Sequence, residues 1–130
     1  MPTASLNPFS MVPRKDYLSF FNGRHPRYKK ILSFTDFQKK DVAFAAGIPV
    51  ASVRYDNKLP AEVETRFREW ATLLNLVAEH FRGDADKTAL WFVMPNPMLG
   101  NIAPRDMIRM GRFNKLLKFI VNAMSENQRP

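Results

Sequence analysis

Trp91-Phe-Val-Met-Pro-Asn-Pro-Met-Leu-Gly-Asn-Ile-Ala-Pro-Arg-Asp-Met-Ile-Arg-Met-Gly111 is the stretch around which the chain is organised. An apolar run ends in Pro95-Asn96-Pro97, Leu99-Gly100 follows, and the chain starts again at Ala103-Pro104. Each proline lacks an N–H and disfavours helical geometry at the residue before it, so one continuous helix is forbidden. Gly100 and Asn101 can supply positive φ for the turn. Pro104 suits the first position of a new helix, and Gly111 suits its end. The spacing predicts helix, tight loop, short helix, turn and a last helix from about Arg112 to Met124. Phe113, Leu116, Leu117, Ile120, Val121 and Met124 form the apolar face of that last helix. Such a block serves packing alone or presents a recognition surface, and its own pattern leaves both readings open.

Upstream, Asp84-Ala85-Asp86 precedes a helix read from about Asp86 to Val93, and helix capping explains the aspartates better than metal binding does. Pro60 opens the longest helix, which runs to about Arg82 and is closed by Gly83. Val63, Phe67, Trp70, Leu74, Val77 and Phe81 alternate at spacings of four and three, which puts them on one face. Leu73, Leu76 and Ala78 widen that face, so this helix is the spine of the core. Glu62, Glu64 and Glu69 lie early in it, where the helix dipole favours acids.

Further upstream, Thr35-Asp36-Phe37-Gln38 fits a capping box that opens a helix to Ala46, with Gly47 as its left-handed end. Ile48-Pro49 restarts the chain, and Val50 to Tyr55 reads as a short second helix. Ala43, Gly47, Ile48 and Val53 have the helix-turn-helix pattern, with a small residue at the crossing, glycine at the turn and apolar anchors beside it. This pattern resembles the DNA-binding unit of phage-repressor-like proteins. Its outward positions are Pro49, Ala51, Ser52, Arg54 and Tyr55, with Lys58 just beyond. Ser52 and Arg54 would face the major groove, and Lys39 or Lys40 would touch backbone phosphate. A helical hairpin that serves only packing is the alternative, and the second helix has no Asn or Gln to read bases.

Residues 1–30 hold four prolines and six basic residues, Arg14, Lys15, Arg24, Arg27, Lys29 and Lys30, against the single acid Asp16. They read as a largely irregular arm with a short helix over Tyr17–Asn22. The aromatics Phe9, Tyr17, Phe20, Phe21 and Tyr28 imply packing, and the charge implies contact with phosphates. Both roles stay open. The organisation expected is therefore an arm over 1–32, a helix-turn-helix region with its connecting helix over 33–83, and a C-terminal block over 84–130.

The whole chain of 130 residues is 45% hydrophobic, enough for one all-α domain with a real core. No run of about 18 apolar residues exists to span a membrane. Pro2, Asn7, Pro8 and Pro13 interrupt any export signal, which suggests a cytoplasmic protein. The absence of cysteine excludes disulfides and thiolate metal sites. A net charge of +8 and a pI near 10.1 favour an anionic partner.

Nothing in the chain suggests catalysis. His25 and His80 have no evident acid–base partner, and Glu79 and His80, being adjacent, point about 100° apart on a helix. No nucleophile elbow, phosphate-cradling glycine loop or zinc-binding H-E-x-x-H is present. The expectation is a non-enzyme without metal or cofactor, although a spatially assembled hydrolase or transferase site stays a formal rival.

From Trp91 to Met124 the sequence resembles the toxin-binding domain of the Xre/MbcA/ParS antitoxins. The features that carry the resemblance are Trp91, Pro95-Asn96, Leu99-Gly100, Pro104, Met107-Ile108, Gly111 and Leu116-Leu117-Ile120, in that order. The upstream helix-turn-helix and long helix extend it to residues 35–126. Asn101, where the family often has glycine, and Met98, Met107 and Met110, where it has other aliphatics, depart from the pattern. The resemblance implies an antitoxin partnered with a RES-domain toxin that degrades NAD. The antitoxin occludes the toxin's cleft, and the pair represses its own promoter through the helix-turn-helix; a homodimer is expected separately, because helix-turn-helix proteins usually read paired half-sites. The residues it implies for toxin contact are Asn96, Met98, Leu99, Arg105, Arg109, Arg112, Lys115 and Lys118. Arg105 and Arg109, four apart, share a face and could pair with toxin carboxylates. A stand-alone transcriptional regulator is the neighbouring reading.

Overall fold

The computed structural model describes residues 15–55 and 58–127 and is all-α apart from one small hairpin. Strands β1 (Phe21–Asn22) and β2 (His25–Pro26) pair antiparallel, with Phe21 opposite Pro26. The helix expected over Tyr17–Asn22 does not form. The Asp16 carboxylate accepts the backbone N–H of both Phe20 and Phe21 at 2.9 Å, the very donors a helix would direct to its own carbonyls. Buried Asn75 then ties this loop down: its Oδ1 accepts Leu18 N–H at 3.0 Å, and its Nδ2 donates to Asp16 at 2.9 Å. The part of the arm from Lys15 onward is thus built into the fold.

Helix α1 (Tyr28–Thr35) corrects a second expectation. The Thr35 pattern closes one helix instead of opening the next. The Thr35 hydroxyl donates to Ile31 O at 2.9 Å, and Asp36 takes the left-handed conformation with its N–H on Leu32 O. Helix α2 (Lys39–Ala46) then starts from extended Gln38, whose N–H donates to the Asp41 carboxylate at 2.9 Å. The capping residues lie three positions further along than the sequence suggests, because Thr35 is fully buried and cannot serve an open helix end.

Gly47 closes α2 with φ +69, as expected. The element after it is shorter than expected: a single 3-10 turn over Val50–Ser52 replaces the helix to Tyr55. Val53 is extended, with ψ 112, which sends its side chain into the core and lays Tyr55 flat on Tyr28. That burial and stacking compensate for the missing helical turn.

Helix α3 (Ala61–His80) is the spine. Val63, Phe67, Trp70, Leu74 and Val77 are buried, and so are Ala71, Leu73, Leu76 and Ala78, so its second half is enclosed on most sides. Helix α4 (Ala85–Val93) is capped by Asp84, which accepts Lys87 N–H at 3.0 Å. A 3-10 turn (Pro97–Leu99), helix α5 (Pro104–Arg109) and helix α6 (Phe113–Asn127) complete the chain in the order expected. Phe37, Phe67, Trp70 and Phe92 meet edge-on at 5.0 to 6.1 Å, the favourable geometry for rings in a core. One continuous core runs from Leu18 to Ile120. None of the helices is long and apolar enough to cross a membrane among the described residues.

Candidate protein-binding and nucleic-acid-binding surfaces

The block from Trp91 to Gly111 is organised by Asn96. Its side-chain oxygen accepts Met98 N–H at 2.9 Å, its carbonyl accepts the N–H of Leu99 and of Asn101 at 2.9 Å, and its own N–H donates to Ile102 O. Gly100 (φ +70) and Asn101 (φ +62) take the positive φ that the turn demands. Leu99 packs against the core, and the same turn leaves Met98 76% exposed. Asn96 and Leu99 therefore hold the loop, and Met98 is what the loop presents.

A set of exposed apolar residues that sequence reasoning misses lies on α4 and at its C-terminal end. Leu90, Val93 and Met94 are each about half exposed or more. Its signal is helical spacing, because Leu90 and Val93 share the face of α4 opposite Phe92, which is fully buried, and Met94 follows as the extended end of the helix. Next to this face, a cleft of about 200 Å³ opens between α3, α4 and α6, lined mainly by Val77, Phe81, Trp91, Asn96, Ile120 and Met124. Arg112, Lys115 and Lys118 are exposed at the start and along the outer side of α6.

Arg105 and Arg109 are placed differently. The Arg105 guanidinium donates Nε to Thr35 O at 2.6 Å and Nη2 to Asp36 O at 2.7 Å, and it sits 5.5 Å over the Phe37 ring. It clamps the C-terminal carbonyls of α1, where a cation also complements the helix dipole. Arg109 donates Nε to Asp41 at 3.2 Å and Nη1 to Asp106 at 3.3 Å, and the Asp41 hydrogen bond pushes its pKa further up. Asp41 thus serves both the start of α2 and Arg109. The two arginines do share a face, as their spacing requires, and that face is turned onto α1 and α2.

The second surface lies on the other half. Tyr28 and Tyr55 stack with ring centroids 5.5 Å apart and an interplanar angle of 16°, and Lys39 Nζ lies 5.9 Å from the Tyr55 ring. They line an open groove of about 800 Å³ together with Lys29, Leu32, Ala51, Val53 and Arg54. Burial pushes the Tyr55 pKa up. Of the residues expected to meet DNA, Lys39, Arg54 and Tyr55 come together here. Lys40, Pro49, Ser52 and Lys58 are exposed but do not line the groove. Tyr28 and Lys29 join it from α1, a helix where the sequence suggests an irregular arm. No set of three or more His, Cys, Asp or Glu side chains that could hold a metal occurs among the described residues.

An all-α chain with a proline-punctuated recognition block on a basic helical scaffold is similar to the antitoxins of toxin–antitoxin pairs. The resemblance drawn from Trp91–Met124 is borne out by a curated relative, the antitoxin Xre of Photorhabdus laumondii subsp. laumondii, 29% identical over 83 residues. The match covers 61% of this chain, and the chain spans 56% of that relative's length. A chain in the crystal structure of the M. tuberculosis MbcT–MbcA toxin–antitoxin complex matches with a TM-score of 0.48 and 21% identity, over 78% of this chain and 93% of that one. No protein-family model matches.

Proposed function

We propose that this chain is an antitoxin that neutralises a RES-domain, NAD-degrading toxin by occluding its active-site cleft, and that it contacts its own operator DNA as an autorepressor. The observation that carries the first part is Met98, held outward on a loop closed by Asn96, together with exposed Leu90, Val93 and Met94 just upstream in the chain. Large apolar side chains left exposed together are the mark of a protein interface. Methionine adapts its shape to a partner, and a preformed loop lowers the ordering cost of association. Similarity to the antitoxin Xre supports the same reading.

Occlusion asks no chemistry of this chain. It needs a fitted surface that keeps NAD out of the toxin. Arg112, Lys115 and Lys118 supply positive charge at the edge of that surface, which speeds encounter with an acidic partner more than it strengthens the final complex. Arg105 and Arg109 act in this mechanism by fixing the position of α5 against α1 and α2. The DNA contact is supported by the Lys39, Arg54 and Tyr55 groove, and a homodimer would present two such grooves to paired half-sites.

Co-expression with a RES-domain toxin tests the proposal. Wild-type chain restores growth and cellular NAD, and Met98→Asp weakens toxin binding at least tenfold, as expected of a central apolar contact worth more than about 1.4 kcal/mol. Wild-type chain that neither binds the toxin nor preserves NAD overturns it.

A further inference from the structure

The groove at Tyr28 and Tyr55 sharpens the DNA part of that proposal and rests on it. Three basic side chains, Lys29, Lys39 and Arg54, line the groove, and no carboxylate does so among the described residues. Among those residues, no ion pair engages any of the three cations. The element that would read bases is one 3-10 turn of three residues, Val50–Ser52. At a rise of about 2.0 Å per residue it is about 6 Å long. The major groove is about 8.5 Å deep, and recognition elements that reach base edges are whole helices or ribbons. The turn itself offers Val50, Ala51 and Ser52, which leaves one hydroxyl as its base-reading group. The two tyrosines stack on each other, and Lys39 lies over Tyr55, so the faces of the Tyr55 ring and one face of Tyr28 are already engaged within the protein. What remains open to a ligand is positive charge along a channel.

We propose that the groove between α1, the start of α2 and the Val50–Ser52 turn holds the phosphate backbone of duplex DNA through Lys29, Lys39 and Arg54, without reading base sequence. Affinity is then set by counterion release, and any promoter preference comes from elsewhere in a larger assembly.

The test is fluorescence anisotropy of the full chain with the promoter duplex, a shuffled duplex of equal length and single-stranded DNA, across a salt series. The two duplexes bind within tenfold of each other, far below the thousandfold or more of a base-reading protein. Lys29→Gln/Arg54→Gln leaves α2 untouched and lowers the slope of log K against log salt by about 0.9 for each phosphate no longer neutralised, hence about 1.8. Arg82→Gln/Lys87→Gln removes the same charge from exposed positions outside the groove and lowers the slope by less than about 0.9. Circular dichroism melts confirm that both variants fold. A tenfold or greater preference for the promoter overturns the claim of sequence-blind binding. Tighter binding of the single strand, or an equal drop of slope in the two variants, overturns the assignment to the groove. An intact slope in Lys29→Gln/Arg54→Gln rejects the groove but leaves DNA binding standing, whereas wild-type chain that binds no nucleic acid rejects DNA binding itself.

Discussion

Arg105 shows how much one side chain can determine. Its two donors satisfy carbonyls at the end of α1, and its side chain is only 20% exposed. Hydrogen bonds from a charged donor contribute about 1.5–3 kcal/mol, so Arg105→Ala lowers the stability to urea by that order. Arg105→Lys does not restore it, because an ammonium cannot reproduce the planar fork. Asn75 acts similarly on the other side. Asn75→Leu leaves Leu18 N–H buried without an acceptor and frees Asp16, at a cost of about 1–3 kcal/mol in the same assay. Glu69 gives a pH signature. Burial raises its pKa above the ordinary carboxylate value, and Arg66 only partly opposes this. The folded state therefore holds the proton more tightly than the unfolded one. This contribution is full below the ordinary carboxylate pKa and is lost as pH rises through the raised folded value. Urea midpoints of wild type and Glu69→Gln, measured from about pH 4 to 7, diverge with the wild type falling behind; parallel curves would contradict the assignment.

The elements show where sequence is readable and where it is not. The Pro95–Gly111 region is legible almost residue by residue, because proline and glycine act through their own backbone and need no partner. Gly100→Ala meets open space and is penalised only for φ +70, by about 1–2 kcal/mol. Gly111→Ala has φ +81 and would bring a Cβ to 3.2 Å from Phe44 Cε2, but Phe44 is 63% exposed and can swing away. The two variants therefore lose similar stability in thermal melts, and a much larger loss at Gly111 would show Phe44 to be fixed. The arm is illegible for the opposite reason. Asp16 takes the Phe20 and Phe21 N–H groups locally, but what holds it there is Asn75, 59 positions away, and no local pattern carries that distance. Thr35 misleads in the same way: its residue type suits either end of a helix, and its complete burial against the core decides which. The residues proposed to meet a toxin divide into two sets. Met98, Arg112, Lys115 and Lys118 are exposed, whereas Arg105 and Arg109 are committed internally to partners that helix spacing alone does not reveal.

At the scale of the whole molecule, one core joins the arm, the helix-turn-helix-like half and the C-terminal block. Chains of this size with a single core unfold in one step. Calorimetry of the full chain should give equal calorimetric and van't Hoff enthalpies, and two resolved transitions would show the halves to be separable. A fragment of residues 33–83 loses Phe92, Leu116 and Leu117 from the packing around α3 and does not fold alone.

The clamp of Arg105 on Thr35 and Asp36, with Arg109 on Asp41, finally limits how such a protein can be re-engineered or can diverge. Residues 91–111 are therefore not independent of residues 35–41. A chimera that receives residues 91–111 from a relative keeps the seat of Arg105, which is backbone carbonyl, but depends on Asp41 for the seat of Arg109. Divergence in α5 and divergence at the corner between α1 and α2 are thus coupled through Asp41.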